Sequence, residues 1–527
     1  VDSRFTTPSY IWGVDLDEKV KEKWEKITLL KSFGSKANLN FHFYHQDGLL
    51  PIPEKGVGHK KGGMNQYDAV VGNPPYGGVG LEEITPELER SLFEYGIWKR
   101  GVRKGGNSES SQLGLLGEQI KDDEKERLKK FAIEILFLDR FIQLAKPSGW
   151  IAVIIPDGIL TNSNSHYVRE FLSERTRVVA IVSLPRETFK DMGTNAKTSI
   201  LFLRKLKENE RPEKDYKVFL ASVEKINQDN FNTIVKSYEK LYNLEENHMN
   251  KSDSVQITKD QSGKEIVMTR VDKSLKEMME EQPQSRFDVK YWHPKYDYIA
   301  NLPFKTCLLR EYLVNKVVIS ADTVRASRGE SYSDKKDNNH PYRYYSVEGI
   351  WSIGYNLNHK EYGSKNAYVR LKRSELKEYD IAIARSGTGS LGKCFIFIGM
   401  ESPNIVSDLY IARCNKKLIN PFYILILLRT KLGEDQIQRN EKGVSGQTKL
   451  TVDMIENFVV PDIGNVVQEH IESEYQYLID SHNRALDAKN NGNEQEYKIH
   501  LSIAEKLLKD LIAKTEEVIR GERSDVI

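Results

Sequence analysis

The stretch of the sequence most suited to chemistry is Asn73-Pro74-Pro75-Tyr76, which follows the short apolar run at residues 69–71. Proline lacks the amide donor that a sheet ladder needs, so the run is predicted to be a buried strand that ends in a rigid polar loop. In open α/β sheets, ligands bind at the carboxyl ends of the strands. Such a loop offers fixed carbonyl acceptors and an aromatic face, although Asn-Pro also begins ordinary turns.

The tetrad resembles the catalytic loop of amino-group DNA methyltransferases. By that resemblance, the side-chain carbonyl of Asn73 and the backbone carbonyl of Pro74 accept hydrogen bonds from a base amine. The amine nitrogen is thereby drawn toward tetrahedral geometry and can attack a sulfonium methyl group. Pro75 keeps the two acceptors aimed, and Tyr76 supplies a face for a base extruded from the duplex. Asn at the first position favours adenine over cytosine as the target in this family.

Two predicted strands precede the tetrad, at residues 10–15 and 40–49, and each ends near an acid. Asp15 is followed by a charged helical pattern, so by itself it is typical of an ordinary helix N-terminal residue. The resemblance to adenine methyltransferases implies instead that Asp15 binds the ribose of S-adenosyl-L-methionine and that Asp47 lies near its adenine. Asn73 is the third expected cofactor contact.

The start of the chain departs from that family. A glycine-rich cofactor loop is expected some tens of residues before Asp15, but only nine residues precede Tyr10, and none of them is a glycine. The chain also opens on Val1. We therefore expect a fragment that lacks the first βα unit, with an incomplete cofactor site.

Strands alternate with helices after the tetrad. Strands are predicted at 150–158, 178–184 and 198–203, and apolar residues at helical spacing predict a helix before them. This helix carries Phe131, Ile135, Leu138, Phe141, Ile142 and Ala145. The alternation predicts an α/β fold with helices on both faces of the sheet. The motifs at 146–158 and 184–198 are similar to the modification subunit of type I restriction systems, which implies a Rossmann-like methyltransferase sheet.

The second half of the chain resembles a specificity-subunit target recognition domain, with its start at Arg286-Phe287-Asp288. Residues 379–393 and 442–450 present glycines, hydroxyls and cations on loops that can approach a DNA backbone closely. The expected DNA-binding residues are Arg385, Ser386, Lys393, Ser445, Gln447 and Lys449. The spacing at 387–393 also fits a phosphate-binding P-loop. We reject that interpretation because residue 394 is Cys, not the required hydroxyl, and a strand is predicted after it.

Two apolar stripes at helical spacing, one on each side of a turn at 489–493, predict a C-terminal helical hairpin. The stripes are Ile471, Tyr475, Leu478, His482 and Ala485, then Ala504, Leu508, Leu511, Thr515 and Val518. The hairpin is either a spacer that docks partner subunits or a bundle packed on the recognition domain. The expected domains are a methyltransferase domain at 1–225, a charged linker at 226–285, an α+β target recognition domain at 286–464 and the helices at 465–527.

Composition limits the function classes. Hydrophobic content of 39%, charged content of 29% and a net charge of +2 describe an ordinary soluble chain, so any DNA surface must be a local basic patch. No apolar run is long enough to span a bilayer. The three cysteines lack paired spacing, which predicts no disulfides, no zinc site and a cytoplasmic location. Methyl transfer from a sulfonium implies no metal, because the leaving group is already activated.

We therefore predict a site-specific DNA adenine-N6 methyltransferase, fused to one target recognition domain as in type IIG-like enzymes, in a restriction-modification or related defence system. Its partners are double-stranded DNA and a restriction, specificity or modification subunit. One alternative is a catalytically dead, sequence-specific DNA-binding module. Another is a protein-glutamine or RNA methyltransferase, which would not need residues 286–465.

Overall fold

The computed structural model divides the chain into two compact units, Val1–Lys290 and Tyr291–Ile527. It describes residues 10–26, 40–53, 63–75, 80–81, 83–102, 120, 122–193, 196–211, 213–244, 254–280, 285–387, 389–441 and 449–527. Residues 286–290, which were expected to open the recognition domain, belong to the first unit.

The first unit alternates strands and helices, as its sequence pattern predicts. Its elements are β1 (Tyr10–Asp15), α1 (Lys19–Lys26), β2 (Asn40–His45), β3 (Tyr67–Gly72), α2 (Pro86–Leu92), α3 (Ile97–Val102), α4 (Asp122–Leu128), α5 (Ile133–Leu144), β4 (Ala145–Pro156), α6 (Asp157–Thr161), α7 (His166–Arg175), β5 (Thr176–Ser183), β6 (Thr198–Lys205), β7 (Phe219–Val223), α8 (Gln228–Leu244), β8 (Val255–Lys259), β9 (Glu265–Arg270) and α9 (Leu275–Glu280).

A seven-stranded sheet in the order β3-β4-β6-β5-β7-β9-β8 is the centre of this unit. Strands β3 and β4 are parallel, β6 runs antiparallel to both β4 and β5, and β5 is parallel to β7. Alternate side chains of β4, namely Ile151, Val153 and Ile155, are fully buried. The expected α/β class with a large sheet and C-terminal helices is confirmed.

Strand β3, which delivers the tetrad, is the edge strand of the seven-stranded sheet, so the prediction of a buried strand is wrong. Val70 is buried, but Val71 is 78% exposed. Strands β1 and β2 pair in parallel as a separate two-stranded sheet. Among the described ranges, β3 has a partner strand on one side alone, and Val70 is the one buried residue of its six.

The predicted linker at 226–285 is also wrong, because this segment supplies α8 and the strands β8 and β9 of the same sheet. Val267 is buried with Ile234 and Phe219 in one apolar cluster. The charged residues around these strands lie on exposed positions and hide the short apolar pattern in the sequence. The sheet therefore extends well beyond the expected domain boundary.

The second unit is built from short strands and a helical base. Its elements are β10 (Thr306–Leu308), β11 (Ile319–Ser320), β12 (Tyr332–Ser333), β13 (Tyr342–Tyr345), β14 (Glu361–Gly363), α10 (Lys365–Leu371), β15 (Ile381–Ala384), β16 (Cys394–Ile396), β17 (Asn404–Val406), β18 (Leu409–Ala412), α11 (Pro421–Leu427), α12 (Lys431–Asn440), α13 (Val452–Glu456), β19 (Val459–Pro461), α14 (Asn465–Asn490) and α15 (Glu494–Ile519). They form sheets in the orders β11-β18-β15-β16 and β12-β14-β13-β17, and a β10-β19 pair.

Helices α14 and α15 confirm the predicted hairpin, and all ten residues of the two apolar stripes are buried. Their side chains share one core with the rest of the unit, where Ile471 and Leu511 cluster with Phe422 and Ile383. The hairpin therefore packs as part of this unit, which favours the bundle over a separate spacer. None of the helices in the described parts of the chain is long and apolar enough to cross a membrane.

Candidate functional site

The carboxyl ends of β3 and β4 meet at one edge of the large sheet, because the two strands are parallel with Gly72 opposite Val153. Asn73 leaves β3 at this edge with an exposed side chain, followed by buried Pro74 and exposed Pro75. Tyr76 lies outside the described residues. Three members of the predicted catalytic tetrad are thus found at the edge where an α/β sheet binds its ligands.

Helix α5 fixes the tetrad through a glycine. A Cβ atom at Gly72 would lie 2.3 Å from Cζ of Phe141, so residue 72 must be glycine if the helix is to pack this closely. One turn earlier on the same helix, Phe137 makes the equivalent approach to Gly48, where a Cβ would lie 2.9 Å from its Cε1. The two rings contact edge to face with centroids 6.0 Å apart. One helix therefore positions both the turn after Asp47 and the turn that begins with Asn73.

A buried polar cluster holds the first of these turns. The carbonyl of Leu49 accepts hydrogen bonds from Ser91 Oγ at 2.9 Å, from Tyr95 Oη at 2.8 Å and from Nη2 of Arg140. Arg140 is fully buried on α5 and also donates from Nε to Tyr95 at 2.7 Å. Burial raises the pKa of Tyr95, which keeps the phenol neutral and able to donate.

Sequence reasoning missed this cluster because it followed only the apolar stripe of the helix. Asp139 and Arg140 interrupt that stripe, and both are buried. Asp139 accepts from the amides of Gly96 at 2.7 Å and Ile97 at 3.0 Å. Two adjacent charged residues in a largely apolar helix were the available signal of a buried polar cluster, since charged side chains are buried only when partners form hydrogen bonds or ion pairs with them.

The two predicted cofactor acids lie at the carboxyl ends of neighbouring parallel strands. Asp15 is opposite His45 in the register of β1 and β2, and Asp47 follows two residues later. Asp15 accepts from the amide of Asp17 at 2.8 Å, and Asp47 accepts from the amide of Leu49 at 2.9 Å. Local amides therefore orient both carboxylates. Carboxylate oxygens held in this way accept hydrogen bonds from ribose hydroxyls, so this donor and acceptor chemistry fits S-adenosyl-L-methionine.

Asp157 occupies the end of β4 beside the tetrad. It accepts a hydrogen bond from Ser199 Oγ at 2.7 Å, and its amide donates to the carbonyl of Lys197 at 2.9 Å. Burial raises the pKa of Asp157 to about 6, although the charges of Lys197 and Arg186 act to lower it. The sequence pattern predicts the end of this strand but indicates no role for Asp157.

In the second unit, the two predicted DNA-binding loops are joined. Ser386 and Lys449 form an antiparallel bridge, and the amide of Leu450 donates to the carbonyl of Arg385 at 2.9 Å. Lys393 and Lys449 are exposed. Ser445 and Gln447 lie outside the described residues.

The guanidinium of Arg385 is engaged within the protein, because it contacts Asp408 at 2.5 Å and Thr323 Oγ1 at 3.3 Å. After Lys393 the chain enters β16, which pairs antiparallel with β15, so the expected strand is confirmed where a P-loop would need a helix.

One group of side chains in the described ranges has the spacing of metal ligands. Glu348, His359 and Glu361 bring their ligand atoms within 4.8 Å of one another. His359 Nε2 lies 3.0 Å from Glu361 Oε2, which also accepts from Ser346 Oγ at 2.6 Å. A hydrogen bond thus joins two of the three side chains directly.

Comparisons with known proteins agree with the chemistry of the first unit. Residues 9–189 match the family model described as Eco57I restriction-modification methylase, and residues 116–286 match the model described as N-6 DNA Methylase. The type II restriction enzyme and methyltransferase RM.Eco57I of Escherichia coli is 28% identical over 142 residues, which are 27% of this chain and 11% of that protein.

Two solved structures are similar over longer stretches. The type IIG restriction endonuclease BpuSI is 16% identical with a TM-score of 0.38, and the match covers 97% of this chain and 60% of BpuSI. The type IIL restriction-modification enzyme MmeI, solved in complex with DNA, is 12% identical with a TM-score of 0.40, and the match covers 86% of this chain and 54% of MmeI. The chain thus spans 11% of its curated relative and little more than half of each of these two proteins. Together the two family models cover residues 9–286, and over this range the chain is similar to N6 DNA methylases of restriction-modification type.

Proposed function

We propose that this chain is the methyl-transfer and target-recognition part of a restriction-modification system, and that it methylates adenine N6 in a specific duplex sequence. The observation that carries the proposal is Asn73-Pro74-Pro75 at the carboxyl edge of the sheet, with Gly72 packed directly on Phe141. A loop stiffened by two prolines and backed by a helix can keep two carbonyl acceptors aimed at an amine.

In this proposal, Asn73 and Pro74 accept hydrogen bonds from the exocyclic amine of an extruded adenine, and Pro75 limits the motion of both acceptors. Tyr76 stacks on the base. Asp15 and Asp47 hold the cofactor through its hydroxyl and adenine groups. When bound, S-adenosyl-L-methionine supplies the electrophilic methyl group. The chain's own residues contribute orientation and the exclusion of water, which are the main sources of rate in a reaction with an activated leaving group.

We assign DNA recognition to the second unit. The bridge between Ser386 and Lys449 joins two loops that carry exposed lysines, and exposed Lys393 lies at the end of the first loop. Lysines on such loops suit phosphate contacts, which position a protein on duplex DNA. Arg385 forms an ion pair with Asp408. In the proposed complex it either keeps this ion pair and stabilises the loop, or it leaves Asp408 and contacts DNA. Ser445 and Gln447 on the second loop are proposed to read base edges.

The proposed partners are double-stranded DNA and another subunit of the system, in the cytoplasm. Tyr477 is 63% exposed on α14, and Ile499 is 50% exposed on α15. Exposed apolar side chains on a helical hairpin suit contact with a partner subunit.

The proposal is tested with an Asn73→Ala variant and labelled S-adenosyl-L-methionine. Methyl transfer to a mixture of unmethylated DNA sequences should fall by about 100-fold or more, because the variant removes one of two acceptors that act in the transition state. Duplex affinity should remain unchanged, since Asn73 lies in the first unit. Methyl transfer that persists in the variant would show that the catalytic assignment is wrong.

Calorimetry separates the alternatives. Titration of S-adenosyl-L-methionine into the wild-type chain should release heat. If no binding is seen at millimolar ligand while duplex binding is retained, the catalytically dead DNA-binding module is the better description. Methylation of RNA or of a protein glutamine in place of DNA would identify the chain as a protein-glutamine or RNA methyltransferase.

A further inference from the structure

The last residues of the first unit, 285–290, lie against helix α6; we name this segment the strap. Phe287 is fully buried, and its amide donates a 3.0 Å hydrogen bond to the carbonyl of Leu160. Arg169 of α7 is fully buried too and donates to the carbonyls of Ile159 at 2.6 Å and Asn162 at 3.0 Å. The strap and α7 therefore hold three carbonyl groups at the end of this short helix, those of Ile159, Leu160 and Asn162.

The strap also carries a buried ion pair. Arg286 and Asp288 form two hydrogen bonds, of 2.6 Å and 3.0 Å, and each residue is 2% exposed. The charge of Asp288 also favours the charged form of Arg169, whose pKa burial lowers to about 10. A buried ion pair adds little net stability, because the desolvation of the two charges offsets their attraction. The ion pair instead favours one arrangement of the strap and the residues around it.

The helix that the strap holds begins at Asp157, at the end of β4. The strap's Asp288 acts on Asp157 through its charge, since it adds to the effect of burial in raising the pKa of Asp157. Lys197 and Arg186 act on Asp157 in the opposite sense. Because β3 and β4 are parallel neighbours, the end of β4 lies beside the end of β3 that carries Asn73.

We propose that the strap is a positioning element of the methyl-transfer site: by holding α6 it fixes Asp157 at the carboxyl edge, beside the Asn73 loop. This inference rests on the proposed function of that loop. The chain runs from the strap directly into the second unit, so the segment that leads into the proposed recognition unit sets the geometry of the catalytic edge. Arg286, Phe287 and Asp288 are positioning residues in this scheme.

The test compares Asp288→Asn with a matched control, Asp272→Asn. Arg270 and Asp272 form a pair with the same spacing, with hydrogen bonds of 2.8 Å and 2.7 Å and a fully buried arginine. Arg270 pairs with Leu220 near the start of β7, at the opposite end of the sheet from Asn73. The control thus removes an Arg–Asp pair of the same spacing away from the proposed site, although the side chain of Asp272 is 30% exposed.

Hydrogen exchange of the full chain, followed by mass spectrometry, is the first measurement. In Asp288→Asn, exchange of the amides at 158–162 should accelerate by about tenfold, while Asp272→Asn leaves this segment protected. Phe287→Leu, which keeps the ion pair and most of the buried volume, should also accelerate exchange there. Unchanged protection at 158–162 in both strap variants would overturn the proposal.

Methyl transfer is the second measurement. Asp288→Asn should lower kcat/KM by about 100-fold, the usual effect of a small misplacement at a catalytic centre, and Asp288→Glu should restore part of it. Loss of the negative charge at 288 lowers the pKa of Asp157, so a limb near pH 6 in the wild-type pH profile should move to lower pH. Asp272→Asn should leave that limb in place.

The two measurements separate the strap from the proposed function. A wild-type chain that transfers no methyl group would remove the proposed function, and hydrogen exchange would still decide whether the strap holds α6. If the wild-type chain is active and the Asp288→Asn profile equals that of Asp272→Asn, the strap has no positioning role.

Discussion

Replacement of Gly72 by Ala tests whether helix α5 positions the catalytic loop. The added Cβ would lie 2.3 Å from Cζ and 2.7 Å from Cε2 of Phe141, well inside van der Waals contact. The ring of Phe141 is itself in contact with Phe137, so it cannot move away freely. Overpacking of this kind costs about 1–3 kcal/mol. Because the clash lies one residue before Asn73, the strain should displace the loop.

Two assays measure the effect of Gly72→Ala. Urea unfolding followed by circular dichroism should show a lower midpoint for the transition of the first unit, with about 2 kcal/mol lost. Methyl transfer should fall by about 100-fold, since a displacement of roughly 1 Å at a catalytic group has effects of that size. The loss of transfer should exceed what the unfolded fraction accounts for.

A rescue variant and a control sharpen the test. Phe141→Leu in the Gly72→Ala background makes room for the new methyl group, so the double variant should recover stability relative to the sum of the two single changes. Gly354→Ala is the control, because its Cβ would meet Ile479 at an ordinary 3.7 Å. If Gly72→Ala behaves like Gly354→Ala, or if Phe141→Leu gives no rescue, helix α5 does not position the loop.

Three further outcomes follow from the structure. Lys393→Ala and Lys449→Ala should each weaken duplex binding for all sequences and reduce the slope of log affinity against log salt by about 1, whereas an unchanged slope would place the phosphates elsewhere. Leu478→Ala should destabilise the second unit by about 2–5 kcal/mol in urea unfolding, since this fully buried side chain lies in the core that the hairpin shares with the rest of the unit. Unfolding of the hairpin alone, with the rest of the unit unaffected, would contradict a shared core. Arg140→Leu should lower the free energy of unfolding by about 2–3 kcal/mol, because the carbonyl of Leu49 loses a charged donor. Amide hydrogen exchange around Leu49 should become faster, and unchanged protection there would contradict the role of the buried polar cluster.

The resemblance to DNA methyltransferases and the general fold follow from short-range features of the sequence. The tetrad stands out because two prolines after an apolar run allow few structures, and residues 9–286 match methyltransferase families. The long apolar stripes of α14 and α15 predict the hairpin for the same reason, since a repeated pattern over 26 residues in each helix determines one buried face. Local chemistry and periodicity suffice for such elements.

Other features depend on contacts between residues that are distant in the chain, and these are seen only in the folded structure. The pairing of β3 at the sheet edge, the inclusion of β8 and β9 in the sheet and the docking of Phe287 on α6 each join segments far apart in the chain. Charged residues buried in such contacts, among them Asp139 and Arg140, look like surface residues when the sequence is considered alone. Their partners lie 91 positions away in the case of Arg140 and Leu49, and the energy of a buried charge depends on those partners rather than on its neighbours in sequence.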